Sequence, residues 1–178
     1  MEDRFVEENV KHRLILAGIR ELEEYGITDF SLRRVAVSAQ VSCAAPYRHF
    51  KSKEDFVGEI IAYVGSKWDL LSRDISSLFK SDLRALVIEI CIANLRFRVA
   101  NRNFPIALAH TRAGESVEES IVSAVKSYSE ERGLSISEAE QKSFVALALI
   151  SGAVSMITDD NSDKVISMTR TALEKEFT

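Results

Sequence analysis

Residues 31–53, SLRRVAVSAQVSCAAPYRHFKSK, decide how this chain is read. They contain Arg33, Arg34, Arg48, Lys51 and Lys53 and no acidic residue, inside a protein whose formal net charge is -4. A compact basic patch on an acidic chain points to a polyanion met at one surface. On charge alone, a solvated basic face with no partner is an equally good reading. Local structure has to separate the two.

Ser31 can cap a short helix running to about Ala39, with Leu32, Val35 and Ala36 as its inward side. Ser42 can cap a second, from Cys43 to about Phe50, after a tight turn at Gln40 and Val41. Two short helices joined this way form a helix-turn-helix, whose second helix is presented to the major groove while the first helix's cap and first turn meet phosphates. Pro46 is compatible with the second helix because it falls in the first turn, where backbone donors are unpaired anyway.

On the N-terminal side, Val6, Val10, Leu14, Ala17, Gly18, Leu22 and Tyr25 step by three and four, which predicts a helix that Gly26 ends. On the other side, Ser52 and Asp55 have the form of a capping box. They open a long helix with a buried stripe of Phe56, Ile60, Val64, Trp68 and Leu71. A helix from Asp82 to about Ala100 follows, with Asn94 on its apolar face. A short one is expected from Phe104 to about Thr111, broken by Gly114. Ser116 with Glu119, and Ser137 with Glu140, would cap helices reaching about Arg132 and Ile157, and a last helix spans Asp163 to about Lys175.

With only 7 Gly and 2 Pro, the chain is expected to be all-α. The expected architecture is an N-terminal three-helix helix-turn-helix domain, residues 1–51, joined by a long helix to a C-terminal helical ligand-binding and dimerisation domain, residues 52–178. Residues 144–157, FVALALISGAVSMI, are apolar or small on nearly every side, too much for a surface helix of a small monomer and too short for a membrane span. Paired with the last helix they suggest a four-helix dimer interface. Phe144, Leu147, Ile150, Ser151 and Val154 would come from one helix and Val165, Met168 and Ala172 from the other. Burial wholly within one chain is the alternative.

Several classes find no support. The N-terminus MEDRFVEENVKHR has no apolar core of the kind a signal peptide needs, so a cytoplasmic protein without a membrane partner is expected. Cys43 and Cys91, with His12, His49 and His110, offer no zinc spacing, and neither a metal nor another cofactor is expected. None of G-x-G-x-x-G, the P-loop, H-E-x-x-H or G-x-S-x-G occurs, so no catalytic residues and no enzyme are expected.

The first third of the chain resembles the TetR family of bacterial transcriptional regulators. The pattern is Leu14, Ile15, Ala17, Leu22 and Gly26, then Ser31, Leu32, Arg33, Val35 and Ala36. It continues through Val41, Ser42, Tyr47, His49, Phe50, Ser52, Lys53 and Glu54, and includes the run YRHFKSKEDF. Gln40 departs from it, since the family usually has Gly in this turn. The resemblance implies a homodimeric repressor, released from a palindromic double-stranded DNA operator by a small-molecule effector. It places Ser31, Arg33, Ser42, Tyr47, His49 and Lys53 at positions that look like DNA contacts, and these side chains suit phosphates rather than bases.

Base reading is the harder part. Cys43, Ala44 and Ala45 stand at the expected start of the recognition helix, where Ala can meet a thymine methyl but cannot hydrogen-bond. Arg33, Arg34 and Arg48 are then left for base contacts, DNA shape for the remainder, and Lys51 for added charge. For the effector, helical faces suggest Trp68, Cys91, Asn94, Phe97, Phe104, His110 and Met156 as lining, around a small and partly apolar molecule. A helical module that binds an acidic protein, or a regulator without a ligand, are the competing readings.

Overall fold

The computed structural model describes residues 2–101 and 112–178, with side chains for residues 9–101 and 117–178. Among the described residues there are eight helices and no strand: α1 (Glu2–Tyr25), α2 (Leu32–Ser38), α3 (Ala45–His49), α4 (Lys53–Leu78), α5 (Leu83–Ala100), α6 (Arg112–Glu131), α7 (Ile136–Met156) and α8 (Ser162–Glu176). The expected all-α fold is borne out. Contacts divide the chain into two units, residues 1–64 and 65–178, and α4 runs through the division.

In the first unit, the apolar stripe of α1 packs against α2 and the start of α4, burying Leu14, Ala17, Leu22, Val35, Ala36, Phe56 and Ile60. Gly18 permits this approach. A Cβ there would lie 2.5 Å from Cδ1 of Ile60, closer than real Cβ atoms come to a neighbour. Phe50 stacks on Phe56 at 4.0 Å between ring centroids, and Phe30 meets the same ring edge-on at 5.7 Å. Gly26, at φ +70°, ends α1 in the left-handed conformation expected of it.

The turn after α2 also needs a left-handed residue, and Gln40 supplies it at φ 54°. The Gln40 amide donates to the Val37 carbonyl at 3.0 Å and the Val41 amide to that of Ala36 at 3.0 Å. This is the hydrogen-bond pattern of a Schellman ending with a glutamine in the glycine place.

The turn then extends further than the sequence suggests. Helix α3 begins at Ala45, not Cys43, with Ala44 at the N-cap and no side-chain cap bond, so Ser42 does not cap it. Pro46 sets this start: lacking an N–H, it fits only the first turn.

In the second unit α5 lies against α6, α7 and α8, and its Leu86, Val87, Ile90, Cys91 and Leu95 are buried with Ile121, Val125, Ala146, Ile150 and Leu173. The α4 stripe holds through Trp68, but Leu71 is exposed and Ile75 takes the buried place beyond it. The last turn of α8 is tied down by donors from three helices, as its unpaired carbonyls require. Arg84 donates to the Phe177 and Glu174 carbonyls, Lys142 to Glu176 O at 2.7 Å, and the Tyr128 hydroxyl to Thr178 O at 2.9 Å.

Two starts differ from expectation. Helix α6 already runs at Arg112, so Gly114 and Ser116 lie within it; a helical glycine costs only about 1 kcal/mol. Helix α7 is capped by the box of Ser135 and Glu138, not that of Ser137 and Glu140. The closing turn of α6 is complete once the Leu134 amide bonds Ser129 O, which leaves Ser135 as the first extended residue. The helix expected over Phe104–Thr111 lies outside the described residues.

Candidate nucleic-acid interface

Helix α2 is held at its start by a buried acid. The Glu21 side chain, 6% exposed, accepts the Ser31 amide at 2.9 Å and Arg34 Nε at 2.8 Å, both on Oε1. Ser31 Oγ in turn accepts the Arg34 amide at 3.4 Å, the cap expected of it. The Arg34 guanidinium also donates to Asp29 O at 2.5 Å and lies 4.1 Å from the Tyr25 ring centroid. Its hydrogen-bonding face is thus occupied within the domain, which leaves little for a base.

The turn between α2 and α3 has its own anchor. Arg13 of α1 donates to the carbonyl of Ala39, and to that of Gln40 at 3.2 Å. Ala45 and Pro46 are buried and fix α3 to the unit, so Ala45 presents no methyl to a thymine. Ser42, Cys43 and Ala44 remain exposed before the helix, and Tyr47 and Arg48 project from it. Tyr47 is 69% exposed, large for an aromatic side chain that has no partner to meet.

Beyond α3, Ser52 Oγ accepts the Asp55 amide at 3.1 Å, and Asp55 Oδ2 accepts the Lys51 amide at 2.8 Å. This box fixes the backbone that carries Lys51 and Lys53. Lys53 is half-buried, donating to Thr28 O at 3.2 Å and lying 6.0 Å from the Phe30 ring centroid. His49 is half-buried, its ring 6.2 Å from that of Phe50. The side chains of Arg33, Tyr47, Arg48 and Lys51 are exposed and make no hydrogen bond or ion pair among the described residues.

Sequence reading missed Glu21 and Arg13. Glu21 carried a signal, since it falls on the inward face of α1 with Leu14, Ala17 and Gly18; an acid there needs a buried partner. Nothing in the sequence distinguishes Arg13 from other surface arginines.

In the second unit, Trp68 is fully buried with its ring 5.3 Å from that of Phe97. Cys91 is buried, and desolvation pushes its thiol up to about 12. Asn94 is fully buried; its Nδ2 donates to Val117 O at 2.9 Å, while Oδ1 has no partner among the described residues. Met156, by contrast, is 64% exposed. Phe104 and His110 lie outside the described residues.

Of the expected dimer residues, Phe144, Ser151 and Met168 are exposed, and Leu147, Val154, Val165 and Ala172 half-buried. Ile150 is fully buried in the core of its own chain and presents nothing to a second subunit. Among the described residues no group of His, Cys, Asp and Glu is placed to hold a metal, and no helix is long and apolar enough to cross a membrane.

A helix-turn-helix with unpartnered cations, followed by a helical second unit, is the arrangement of a DNA-binding transcription regulator. Residues 14–60 match the family model described as bacterial regulatory proteins, tetR family. The match covers the helix-turn-helix and the start of α4.

Solved structures share the fold over nearly the whole chain. A TetR regulator from Haloarcula marismortui is 17% identical with a TM-score of 0.72, covering 95% of this chain and 96% of that one. PfmR, a TetR-family regulator from Thermus thermophilus, is 16% identical at 0.69, covering 93% and 97%. The regulator FadR from Bacillus subtilis, in complex with stearoyl-CoA, is 13% identical at 0.68, covering 94% and 97%. Comparison with curated protein sequences gives no match.

Proposed function

We propose that the chain is a homodimeric repressor that binds a palindromic operator and is released from it by a small-molecule effector, without enzymatic activity. The observation that carries this reading is the set of exposed side chains Arg33, Tyr47, Arg48 and Lys51, on and just beyond the helix-turn-helix, which have no hydrogen bond or ion pair among the described residues. Ser31, Ser42, His49 and Lys53 contribute phosphate contacts beside them, which set register on the duplex. Base reading falls to Arg33 and Arg48, because Arg34 is engaged by Glu21 and Ala45 is buried. Cys43 and Ala44 add apolar contact, and DNA shape supplies the remaining specificity.

A second subunit is seated on the outward face of α7 and on α8. Phe144, Ala148, Ser151, Gly152 and Ser155 are exposed at helical spacing, and the small residues allow a partner helix to approach closely, beside Met168 of α8. Two reading heads then address half-sites about 34 Å apart.

The effector is assigned to the second unit. The buried Asn94 Oδ1, without a hydrogen-bond partner among the described residues, supports this, since a buried acceptor without a donor favours a ligand that brings one. The structural neighbour in complex with stearoyl-CoA is consistent with a partly apolar effector. Effector binding biases α4, to which Trp68 belongs, and operator DNA opposes that bias by linkage. The deciding experiment selects bound duplexes from a random pool. The reading requires a palindromic consensus and a steep fall of affinity with salt; recovery of no consensus, or salt-independent binding, refutes it.

A further inference from the structure

Helix α3 is too short to hold its own pose, since it spans five residues and has no side-chain cap bond. What grips its two ends therefore decides how it is presented. At the exit, the Phe50 amide bonds Pro46 O at 2.9 Å, the Phe50 ring stacks on Phe56, and Asp55 Oδ2 accepts the Lys51 amide at 2.8 Å. At the entry the chain comes directly from the turn whose Gln40 stands at φ 54°.

The carbonyls of that turn lack backbone partners. Among the described residues no backbone amide bonds Ala39 O or Gln40 O, and α2 has no basic residue in its last turn to meet them. Arg13 of α1 meets both. Its Nη2 donates to Ala39 O, and to Gln40 O at 3.2 Å. The side chain is half-buried and its neighbour in sequence, Leu14, is fully buried, so the packing of α1 determines where the guanidinium stands.

We propose that Arg13 is a positioning residue for sequence reading. By holding the Ala39 and Gln40 carbonyls it sets the entry to α3 and, with Phe50 at the exit, the angle at which Tyr47 and Arg48 meet the duplex. Hydrogen bonds to base edges tolerate little displacement, whereas a flexible cation meets a phosphate from many positions. Without Arg13, α3 pivots about Phe50 and loses base contacts while keeping phosphate ones. The inference rests on the DNA-binding reading and adds to it a residue that does not touch DNA.

The experiment compares the full chain with Arg13→Met, which keeps an unbranched side chain and loses the donors. Without DNA, hydrogen exchange read by mass spectrometry is expected to quicken over residues 40–45, where the Val41 and Ala45 amides are bonded, and to stay unchanged in α4. With DNA, fluorescence anisotropy is read on the duplex selected by the parent protein and on a scrambled duplex of the same length. Affinity for the first is expected to fall about tenfold, the scale of one lost base contact. Affinity for the scrambled duplex and the slope of log affinity against log salt are expected to hold. Arg13→Lys, whose ammonium still meets the carbonyls, is expected to restore most of the discrimination. Arg13→Gln, shorter and neutral, is expected to lose it and carries the test if Arg13→Met folds poorly.

Equal losses on the two duplexes would make Arg13 a structural residue only. A slope lowered by about 1 would put it on a phosphate, and unchanged affinity and exchange would leave it no role in the turn. Each of these overturns the proposal. A parent protein that selects no consensus refutes the operator reading instead, and the exchange pattern still decides whether Arg13 holds the turn.

Discussion

Glu21 and Arg34 are joined through a single carboxylate oxygen, Oε1, which takes Arg34 Nε at 2.8 Å while also accepting the Ser31 amide at 2.9 Å. The acid is buried and the arginine nearly half exposed, so the pair anchors the start of α2 to the interior of its domain. Glu21→Ala is expected to destabilise the first unit by about 1–3 kcal/mol, because it strands a buried amide as well as the guanidinium. Urea unfolding checks the magnitude. A change below about 0.5 kcal/mol would remove the anchoring role.

Gln40 occupies a left-handed position that costs a non-glycine residue about 1–2 kcal/mol. Gly at the same position relieves that strain but loosens the unfolded chain by about 0.4–1 kcal/mol. Gln40→Gly is therefore expected to stabilise the protein by about 0.5 kcal/mol, a Tm rise of roughly 1–2 °C for a chain of this size. Gln40→Val is expected to lower it, since β-branched residues tolerate positive φ worst. Differential scanning fluorimetry on the two variants reads both signs.

These two positions also mark where sequence reading succeeds and where it stops. Periodicity and capping chemistry located α1, α2, α4 and α5 because Leu14, Ser31, Ser52 and Asp82 carry local signals: an apolar step or a side-chain oxygen at a helix start. The start of α3 was illegible because Cys43, Ala44 and Ala45 have no periodicity, while Ser42 resembles a cap it does not provide. Leu71 failed for a geometric reason. Along the 26 residues of α4 the buried stripe drifts, and Ile75 replaces Leu71. The hold of Arg13 on the turn carbonyls is long-range in sequence, so no local pattern announces it.

Arg34 and Arg48 belong to the same basic patch, yet they should behave differently. Arg48 is exposed and unpartnered, so Arg48→Ala is expected to weaken operator binding and to lower the slope of log affinity against log salt by about 1. Arg34→Ala is expected to reduce stability while leaving that slope nearly unchanged, because its guanidinium is committed to Glu21 and Asp29. Fluorescence anisotropy on a selected operator across a salt series separates them. Equal loss of slope in both variants would place Arg34 on the phosphates.

The two thiols differ in the same testable way. Cys43 is exposed and Cys91 buried, with its thiol pushed up to about 12 by desolvation. Native protein at neutral pH is therefore expected to react with one equivalent of an alkylating reagent, at Cys43, and with a second only on unfolding. Mass spectrometry of the labelled chain identifies the site. Rapid labelling of Cys91 under native conditions would mean that the core of the second unit opens readily.

The acid sensitivity of the second unit should be set in part by Glu89. Two hydrogen bonds from Arg170, at 2.6 and 2.9 Å, hold its carboxyl below the ordinary carboxylate value of 4.5. The folded state thus binds this proton less readily than the unfolded chain does. The resulting stabilisation is fully present above the ordinary value and drains away as pH falls through the depressed one. Both side chains are about one third exposed, so the contribution is about 0.5–1 kcal/mol rather than that of a buried pair. Glu89→Gln is expected to lower stability by that amount at pH 7 and to converge with the parent protein as pH falls below the ordinary carboxylate value. Urea midpoints along a descending pH series decide it: a gap that stays constant would mean that Glu89 stabilises by packing and not by charge.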